Sequence, residues 1–129
     1  MDNKKKEGFQ DLEVYRISVE LALDIYRLVD KLPKSEHYGI RDQLTRAINS
    51  VGANIAEGYG RYSYKDFTRF LYIARGSLME TLHFLNISLK LRYINQVEYD
   101  NLDKKIKNLG IKLNNFITAI LKNNRKTTE

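Results

Sequence analysis

One segment of the chain, from Tyr64 to Arg92, carries two apolar stripes on opposite sides of a single predicted helix. In both stripes the residues recur at steps of three and four, the spacing that brings side chains onto one face of an α-helix. The first stripe consists of Phe67, Phe70, Leu71, Ala74, Leu78, Leu82, Leu85 and Leu89. The second consists of Ile73, Gly76, Glu80, Phe84, Ile87 and Leu91. A helix that is apolar on both sides is expected to be buried on both sides.

The second stripe therefore predicts a homo-oligomer with this helix at the interface. Gly76 would let a neighbouring backbone approach closely. Glu80 would need a cationic or hydrogen-bond-donating partner there, because an unpaired buried carboxylate is costly. The alternative is that the stripe packs against another helix of the same chain. The predicted interface residues on this helix are Ile73, Gly76, Glu80, Phe84 and Ile87.

The preceding segment predicts a second amphipathic helix, with a polar stripe beside its apolar face. The apolar face consists of Ile40, Leu44, Ala47, Ile48, Val51 and Ile55. The polar stripe, about a quarter-turn away, consists of Gln43, Arg46, Ser50, Asn54 and Glu57. Polar groups at the edge of a buried face usually hydrogen-bond to a neighbouring element, so one interpretation is a set of satisfied boundary residues. The other is a site at a subunit or ligand junction that includes Arg46, Asn54 and Glu57.

Glycine and capping residues mark the link between these two helices. Gly58 follows the last residue of the polar stripe, where a glycine commonly ends a helix. Ser63, with Asp66 three residues later, is typical of a capping box that starts the next helix. Gly58 and Gly60 do not indicate a phosphate-binding loop, because no strand precedes them and no lysine follows in the required register.

Two further helices complete the prediction. The first spans residues 11–32 and ends before Pro33, since proline disfavours helical geometry in the residue before it. Its apolar stripe is broad enough to face both the core and a neighbour. The last helix starts at a capping box made by Asn95 and Glu98. It has one clean apolar face and is the best candidate for the outside of an assembly.

These elements predict an all-α protein of one domain. Residues 1–8 are expected to be a flexible arm, residues 9–122 a four-helix bundle and residues 123–129 a frayed polar tail. The absence of cysteine excludes disulfides and thiolate metal sites. The first residues lack the apolar run of a signal peptide, and no stretch approaches the roughly 20 apolar residues of a membrane span. We therefore expect a cytoplasmic protein that does not interact with membranes.

The sequence contains no recognisable set of catalytic, metal-binding or cofactor-binding residues. His37 and His83 lie on different elements, and neither has a second ligand at metal-binding spacing. No serine or threonine lies in a nucleophile motif. Glu57 and Glu80 could meet across adjacent helices, but nothing in the sequence supplies the pocket that a catalytic carboxylate pair needs. We expect no enzymatic activity and no cofactor.

The formal charge of +6 is concentrated in the second half of the chain. Residues 63–94 carry five cationic and two acidic groups, and residues 95–129 carry seven and four, so each segment has a net charge of +3. This excess is compatible with an anionic partner such as RNA or DNA. A solvated basic face is the simpler alternative. The candidate nucleic-acid contacts are Arg61, Lys65, Arg75, Lys90, Arg92, Lys104, Lys105 and Lys112.

Arginines near the link between the second and third helices have two interpretations. Arg46 and Arg69 could pair with Glu57 and Glu80, within or between subunits, and hold an oligomer in register. Guanidinium groups also bind phosphates in a bidentate manner, and the neighbouring tyrosines could stack on unpaired bases. Because an acid is available for each of the two arginines and buried charges are usually paired, the structural interpretation is favoured.

Three motifs resemble those of a known family. They are QLTRAINSVGANIAEGYGR (Gln43 to Arg61), RFLYIARGSLMET (Arg69 to Thr81) and LPKSEHYG (Leu32 to Gly39). Together they are similar to the bacterial four-helix-bundle proteins of the 23S rRNA intervening sequence. The departures are small. Thr45 stands where arginine is usual, which removes one positive charge and slightly weakens the argument for nucleic acid.

The resemblance implies an antiparallel up-down four-helix bundle that assembles as a homopentamer, with no established enzymatic activity. A more distant likeness is to the accessory variability protein of diversity-generating retroelements, a pentameric barrel that binds a reverse transcriptase and nucleic acid. The leading hypothesis is a non-enzymatic oligomer that binds RNA, DNA or a nucleic-acid-handling enzyme through basic surfaces. The alternative is a structural or adaptor assembly with a protein partner, in which the motif arginines and glutamates serve only subunit packing.

Overall fold

Residues 8–128 of the chain form four α-helices in sequence. A computed structural model describes residues 8–128, with side chains up to residue 123. The helices are α1 (Glu13–Val29), α2 (Ile40–Tyr59), α3 (Tyr64–Lys90) and α4 (Gln96–Thr128), with short 3₁₀ turns at Phe9–Asp11 and Lys34–Glu36. The predicted arm lies outside the described residues except for its last residue, Gly8.

The four helices pack as an antiparallel up-down bundle. α1 packs on α2, α2 on α3, α3 on α4, and α4 returns to α1. Short links join successive helices, which forces neighbours to run antiparallel. No strand is present in residues 8–128. The all-α four-helix prediction is confirmed.

One hydrophobic core runs the length of the bundle. The first apolar stripe of α3 lies in it, and Leu71, Ala74, Leu78 and Leu85 are completely buried. The apolar faces predicted for α2 and α4 also enter it, and their fully buried residues are Leu44, Val51, Ile55, Ile106, Leu109 and Leu113. The period-3.6 pattern thus identified the inward face of these three helices.

The boundaries of α1 and α3 differ from the prediction. α1 ends at Val29, not Leu32, because the chain turns there through Lys31 N–H donating to the carbonyl of Leu28 and Leu32 N–H to the carbonyl of Val29. The chain leaves the helix well before the residue that Pro33 restricts. α3 ends at Lys90 rather than Arg92.

Gly58 does not end α2, and that prediction is wrong. The helix continues to Tyr59, and Gly60 follows it in an ordinary right-handed conformation with φ of −80°. Gly58 is buried instead against α3. A Cβ atom at this position would lie 2.8 Å from the Cβ of Phe70 and 3.1 Å from the backbone oxygen of Phe67. Glycine is required here for space, because any side chain would hold α2 and α3 apart.

Both predicted capping interactions are present. Ser63 Oγ accepts a hydrogen bond from the Asp66 amide at 3.1 Å. At the start of α4 the box is reciprocal: Asn95 Oδ1 accepts from the Glu98 amide at 2.8 Å, and Glu98 Oε1 accepts from the Asn95 amide at 2.9 Å. These bonds satisfy amide groups that the first helical turn leaves unpaired. α4 continues to Thr128, so the polar tail begins as helix, and its fraying stays a prediction.

Candidate functional site

The second apolar stripe of α3 faces outward. Ile73 is 43% exposed and Leu91 is 50% exposed. Gly76 and Glu80 are exposed as well, and a Cβ atom added at Gly76 would meet no atom within 4 Å. Phe84 packs partly against the core. The alternative that another helix of the same chain covers this stripe is therefore wrong for its central residues.

The polar stripe of α2 borders this outward face of α3. Ser50 Oγ and Ser77 Oγ lie 2.8 Å apart, which joins the two helices beside Gly76. The Asn54 side-chain amide donates to the carbonyl and the hydroxyl of Ser50, at 2.8 and 2.9 Å. Ser50 and Asn54 are therefore satisfied boundary residues. Gln43, Arg46 and Glu57 are exposed.

The predicted arginine–glutamate pairs do not form within the chain. Glu57 pairs with Arg61 at 2.7 Å, and Arg69 pairs with Asp66 at 3.6 Å, because these partners lie three or four residues apart on adjacent turns. Arg46 and Glu80 make no ion pair among the described residues. Pairing between subunits stays a prediction.

Phe70 lies between two guanidinium groups. The Cζ atoms of Arg61 and Arg69 are 4.7 and 4.6 Å from its ring centroid. Both arginines are thus held by a carboxylate and by an aromatic face at once. This arrangement fixes their side chains against the α2–α3 link, which favours a structural role for both.

A second exposed apolar face lies on α1. Leu23 is 49% exposed, and Val19 and Tyr26 point outward on the same side of the helix. Beside them a groove of about 290 Å³ runs between α1 and α2. Its floor includes Gly52, where an added Cβ atom would lie 3.1 Å from Ser18 Oγ. The exposed apolar side expected for α1 is present, and its contact with a neighbour stays a prediction.

Four of the eight candidate nucleic-acid contacts already have partners within the chain. Lys105 pairs with Asp24 at 2.6 Å and Lys112 with Glu13 at 3.1 Å, and both pairs lie across the seam between α1 and α4. Arg61 is engaged by Glu57, as described above. The Arg75 guanidinium donates to Asn114 Oδ1 at 2.5 Å and lies over the ring of Tyr72.

The other four have no ion pair or hydrogen-bond partner for their side chains among residues 8–123. They are Lys65, Lys90, Arg92 and Lys104. Lys90 and Arg92 lie together at the end of α3, whereas Lys65 lies at its start and Lys104 on α4. The structure therefore does not bring the eight candidates onto one continuous surface.

Arg92 has an unusual backbone conformation. Its φ is +63°, the one positive value among the described non-glycine residues. Tyr93 N–H donates to the Ser88 carbonyl at 2.9 Å and Arg92 N–H to the Leu89 carbonyl at 3.0 Å, the paired bonds of a Schellman cap. Glycine usually occupies this position. A side chain in the left-handed conformation costs about 1–2 kcal/mol.

The α1–α2 link lies at the same end of the bundle as Arg92. The Tyr93 hydroxyl donates to Glu36 Oε2 at 2.8 Å, which ties the α3–α4 turn to this link. Next to Glu36, Tyr38 is 90% exposed, and its ring meets the ring of His37 edge-to-face with centroids 4.7 Å apart. Tyr38 was not among the residues predicted from the sequence, and the one signal for it is an aromatic side chain in a link of mostly polar residues.

Among the described residues, three titratable groups have shifted pKa values. The hydrogen bond to the Glu36 carboxylate raises the pKa of Tyr93, because a neighbouring acceptor and negative charge favour the protonated phenol. The hydrogen bond from Lys31, and then that from the Asn95 amide, lower the pKa of Glu98. The Asp103 carboxylate raises the pKa of Lys107.

Two other kinds of feature, a metal-binding cluster and a membrane-spanning helix, are absent from residues 8–128. No group of three or more histidine, cysteine, aspartate or glutamate side chains in residues 8–128 is placed to hold a metal ion. No helix in this part of the chain combines the length and the apolar character needed to cross a membrane.

Comparison with known proteins agrees with the motifs described above. The family model described as "23S rRNA-intervening sequence protein" matches residues 10–115. The crystal structure of a protein of unknown function from the S23 ribosomal protein family of Bacteroides thetaiotaomicron VPI-5482 superposes on this fold with a TM-score of 0.75. The two sequences are 28% identical over 81% of this chain and 97% of the other. No curated protein matches the chain.

Proposed function

Because the chain belongs to the 23S rRNA-intervening sequence protein family, we propose that it is a non-catalytic, homo-oligomeric bundle that binds nucleic acid or a nucleic-acid-handling enzyme. The observation that carries this proposal is the group of cations left without partners, at the α3–α4 end above all. Some cations are neutralised across helix seams, such as Lys105 by Asp24, whereas Lys90 and Arg92 are exposed and have no ion pair among the described residues. Exposed cations of this kind neutralise phosphates and release counterions. A protein that binds a bacterial nucleic acid would do so in the cytoplasm, which is the localisation proposed for this chain.

The oligomer is supported by two exposed apolar faces on different helices. One is the second stripe of α3, and the other is the α1 face around Leu23 with its adjacent groove. Two different faces suit a head-to-tail contact, in which the α3 face of one subunit covers the α1 face of the next. Such contacts close into a ring when the rotation allows it, and the family resemblance points to five subunits.

The proposed activity predicts steeply salt-dependent binding. Purified protein would be titrated into labelled single- and double-stranded RNA and DNA over a series of salt concentrations, with its mass measured by light scattering in the same buffers. We expect binding near physiological salt with a log–log slope of several units, because each neutralised phosphate contributes about 0.7 on single strands and about 0.9 on duplexes. A stable oligomer that binds none of the four ligands near physiological salt would contradict the proposal.

A second candidate function has one observation in its favour. Arg61, Lys105 and Lys112 are neutralised by carboxylates of the same chain, which leaves fewer cations for phosphate than the sequence suggested. A structural or adaptor assembly with a protein partner would fit this reduced surface. It predicts nucleic-acid binding that vanishes at physiological salt.

A further inference from the structure

We propose that the end of the bundle formed by the α3–α4 turn and the α1–α2 link is a contact site for a single-stranded nucleic acid. In this site Arg92 binds a phosphate and Tyr38 stacks on a base. The inference rests on the proposed function and assigns where the ligand is held. We name this region the turn end and define its contact residues as Lys34, Tyr38, Lys90 and Arg92.

The backbone conformation of Arg92 is the first argument. Both hydrogen bonds of the cap at the end of α3 are formed, and glycine would adopt the backbone conformation of this position with less strain. An arginine there is strained, and its side chain makes no ion pair or hydrogen bond among the described residues. Strained residues that their own fold does not need are concentrated at functional sites. The guanidinium group, with its fork of donors, is suited to bind a phosphate.

The charge around Arg92 is the second argument. Lys34 and Lys90 share this end of the bundle, and neither has a partner in the described part of the chain. The nearby acids Glu36 and Glu98 are engaged by Tyr93 and Lys31. Asp42 and Asp100 form no ion pairs among the described residues. Their two negative charges offset only part of the positive charge of the three cations at the turn end.

The exposed aromatic ring is the third argument. Tyr38 buries almost none of its surface, so packing within the chain does not account for an aromatic residue at this position. Its contact with His37 is edge-to-face and leaves ring surface available. Aromatic rings stack on the faces of unpaired bases. Because bases in a duplex are already stacked on each other, such a ring selects single strands.

The two halves of the turn end are held at a fixed spacing. The hydrogen bond from the Tyr93 hydroxyl to Glu36 joins the segment that carries Arg92 to the segment that carries Tyr38. Tyr93 is therefore a positioning residue. The turn end borders the outward stripe of α3 at Leu91, but none of its four contact residues belongs to that stripe or to the exposed face of α1.

The test uses one substitution at Arg92 and one at Tyr38. Arg92→Gly relieves the backbone strain and removes the guanidinium group, so thermal stability should rise or stay unchanged while binding weakens. Tyr38→Ala removes the ring, and Tyr38→Phe retains it. Lys122→Gln, which removes an exposed charge at the opposite end of α4, is the matched control.

Binding would be followed by fluorescence anisotropy with labelled 20-nucleotide uridine RNA, thymidine DNA and a duplex of mixed sequence. For Arg92→Gly we expect a salt slope on single strands about 0.7 shallower than that of the wild type, from the loss of one phosphate contact. Tyr38→Ala should weaken single-strand binding by about fivefold or more, leave duplex binding unchanged and be rescued by Tyr38→Phe. Comparison of the uridine RNA with the thymidine DNA then shows which of the two single strands the site prefers.

Two outcomes would overturn the inference, and they differ. If the wild type binds single strands and both Arg92→Gly and Tyr38→Ala match Lys122→Gln, the turn end is not the contact site and the proposed function survives. If the wild type binds none of the ligands near physiological salt, the proposed function fails and the inference fails with it.

Discussion

At the scale of single residues, Gly58 shows that a glycine can be required for two different reasons, a lack of space for a side chain or a left-handed backbone conformation. The sequence places Gly58 where a helix often ends, and position alone suggests a left-handed cap. The structure keeps it inside α2, against Phe67 and Phe70 of the next helix. Arg92 is the opposite case, since it adopts the conformation that glycine was expected to provide. Neither could be predicted from local pattern, because both depend on where the neighbouring chain lies.

Replacement of Gly58 by alanine should destabilise the bundle. The new Cβ atom would lie 2.8 Å from the Phe70 Cβ, and overpacking of a core typically costs about 1–3 kcal/mol. Urea denaturation should show a lower midpoint. Gly60→Ala is the matched control, because its nearest contact would be an ordinary 3.6 Å and its φ suits alanine. Equal midpoints for the two variants would contradict this account of Gly58.

Glu98 should make stability depend on pH in the acid range. Its pKa is lowered in the folded state, so its contribution is present above the ordinary glutamate pKa of about 4.5 and is lost as pH falls through the lowered value. Glu98→Gln retains a capping acceptor but removes the charge. The wild type should therefore be more stable than the variant by up to about 1 kcal/mol at neutral pH, with the difference vanishing in acid. A difference that persists unchanged at low pH would exclude the ionic contribution.

At the scale of helices, α3 is the element whose pattern was most informative. Its two apolar stripes predicted one buried side and one side without an intramolecular partner, and the structure has both. The fourth helix was less predictable. Its polar face looked fully solvated, yet Lys105 and Lys112 reach across to acids of α1. Contacts of this kind depend on the relative rotation and height of two helices, which periodicity within one helix does not encode.

Gly76→Leu tests the proposed subunit contact of α3. An added side chain meets nothing within 4 Å in the single chain, so the fold should be retained. In an oligomer packed through this face the same leucine would collide with the neighbour, and the mass measured by light scattering should fall. Asn86→Leu, at an exposed position elsewhere on α3, should leave the mass unchanged. An intact assembly in Gly76→Leu would refute the assignment.

At the scale of the whole molecule, the fold was predictable, and the arrangement of the candidate nucleic-acid contacts was only partly so. Helix number, the core faces of α2, α3 and α4, and both capping boxes followed from residue pattern and are confirmed. The eight basic candidates were chosen by charge, and the structure divides them equally into partnered and free groups. For Lys105 and Lys112 the partner is an acid distant in sequence, such as Glu13, which lies 99 residues from Lys112.

The hydrogen bond between Tyr93 and Glu36 has a mechanical consequence. It joins the pair α1–α2 to the pair α3–α4 at the end opposite their covalent connection. The α2–α3 link connects the two pairs covalently at one end of the bundle, and this hydrogen bond connects them at the other. Because the covalent link cannot separate, we expect the two pairs to move apart first at the end held by this hydrogen bond and by the Lys31–Glu98 ion pair. Deprotonation of Tyr93 above its raised pKa removes this hydrogen bond. Strongly alkaline solution should therefore favour unfolding that begins with separation of the two helix pairs at this end.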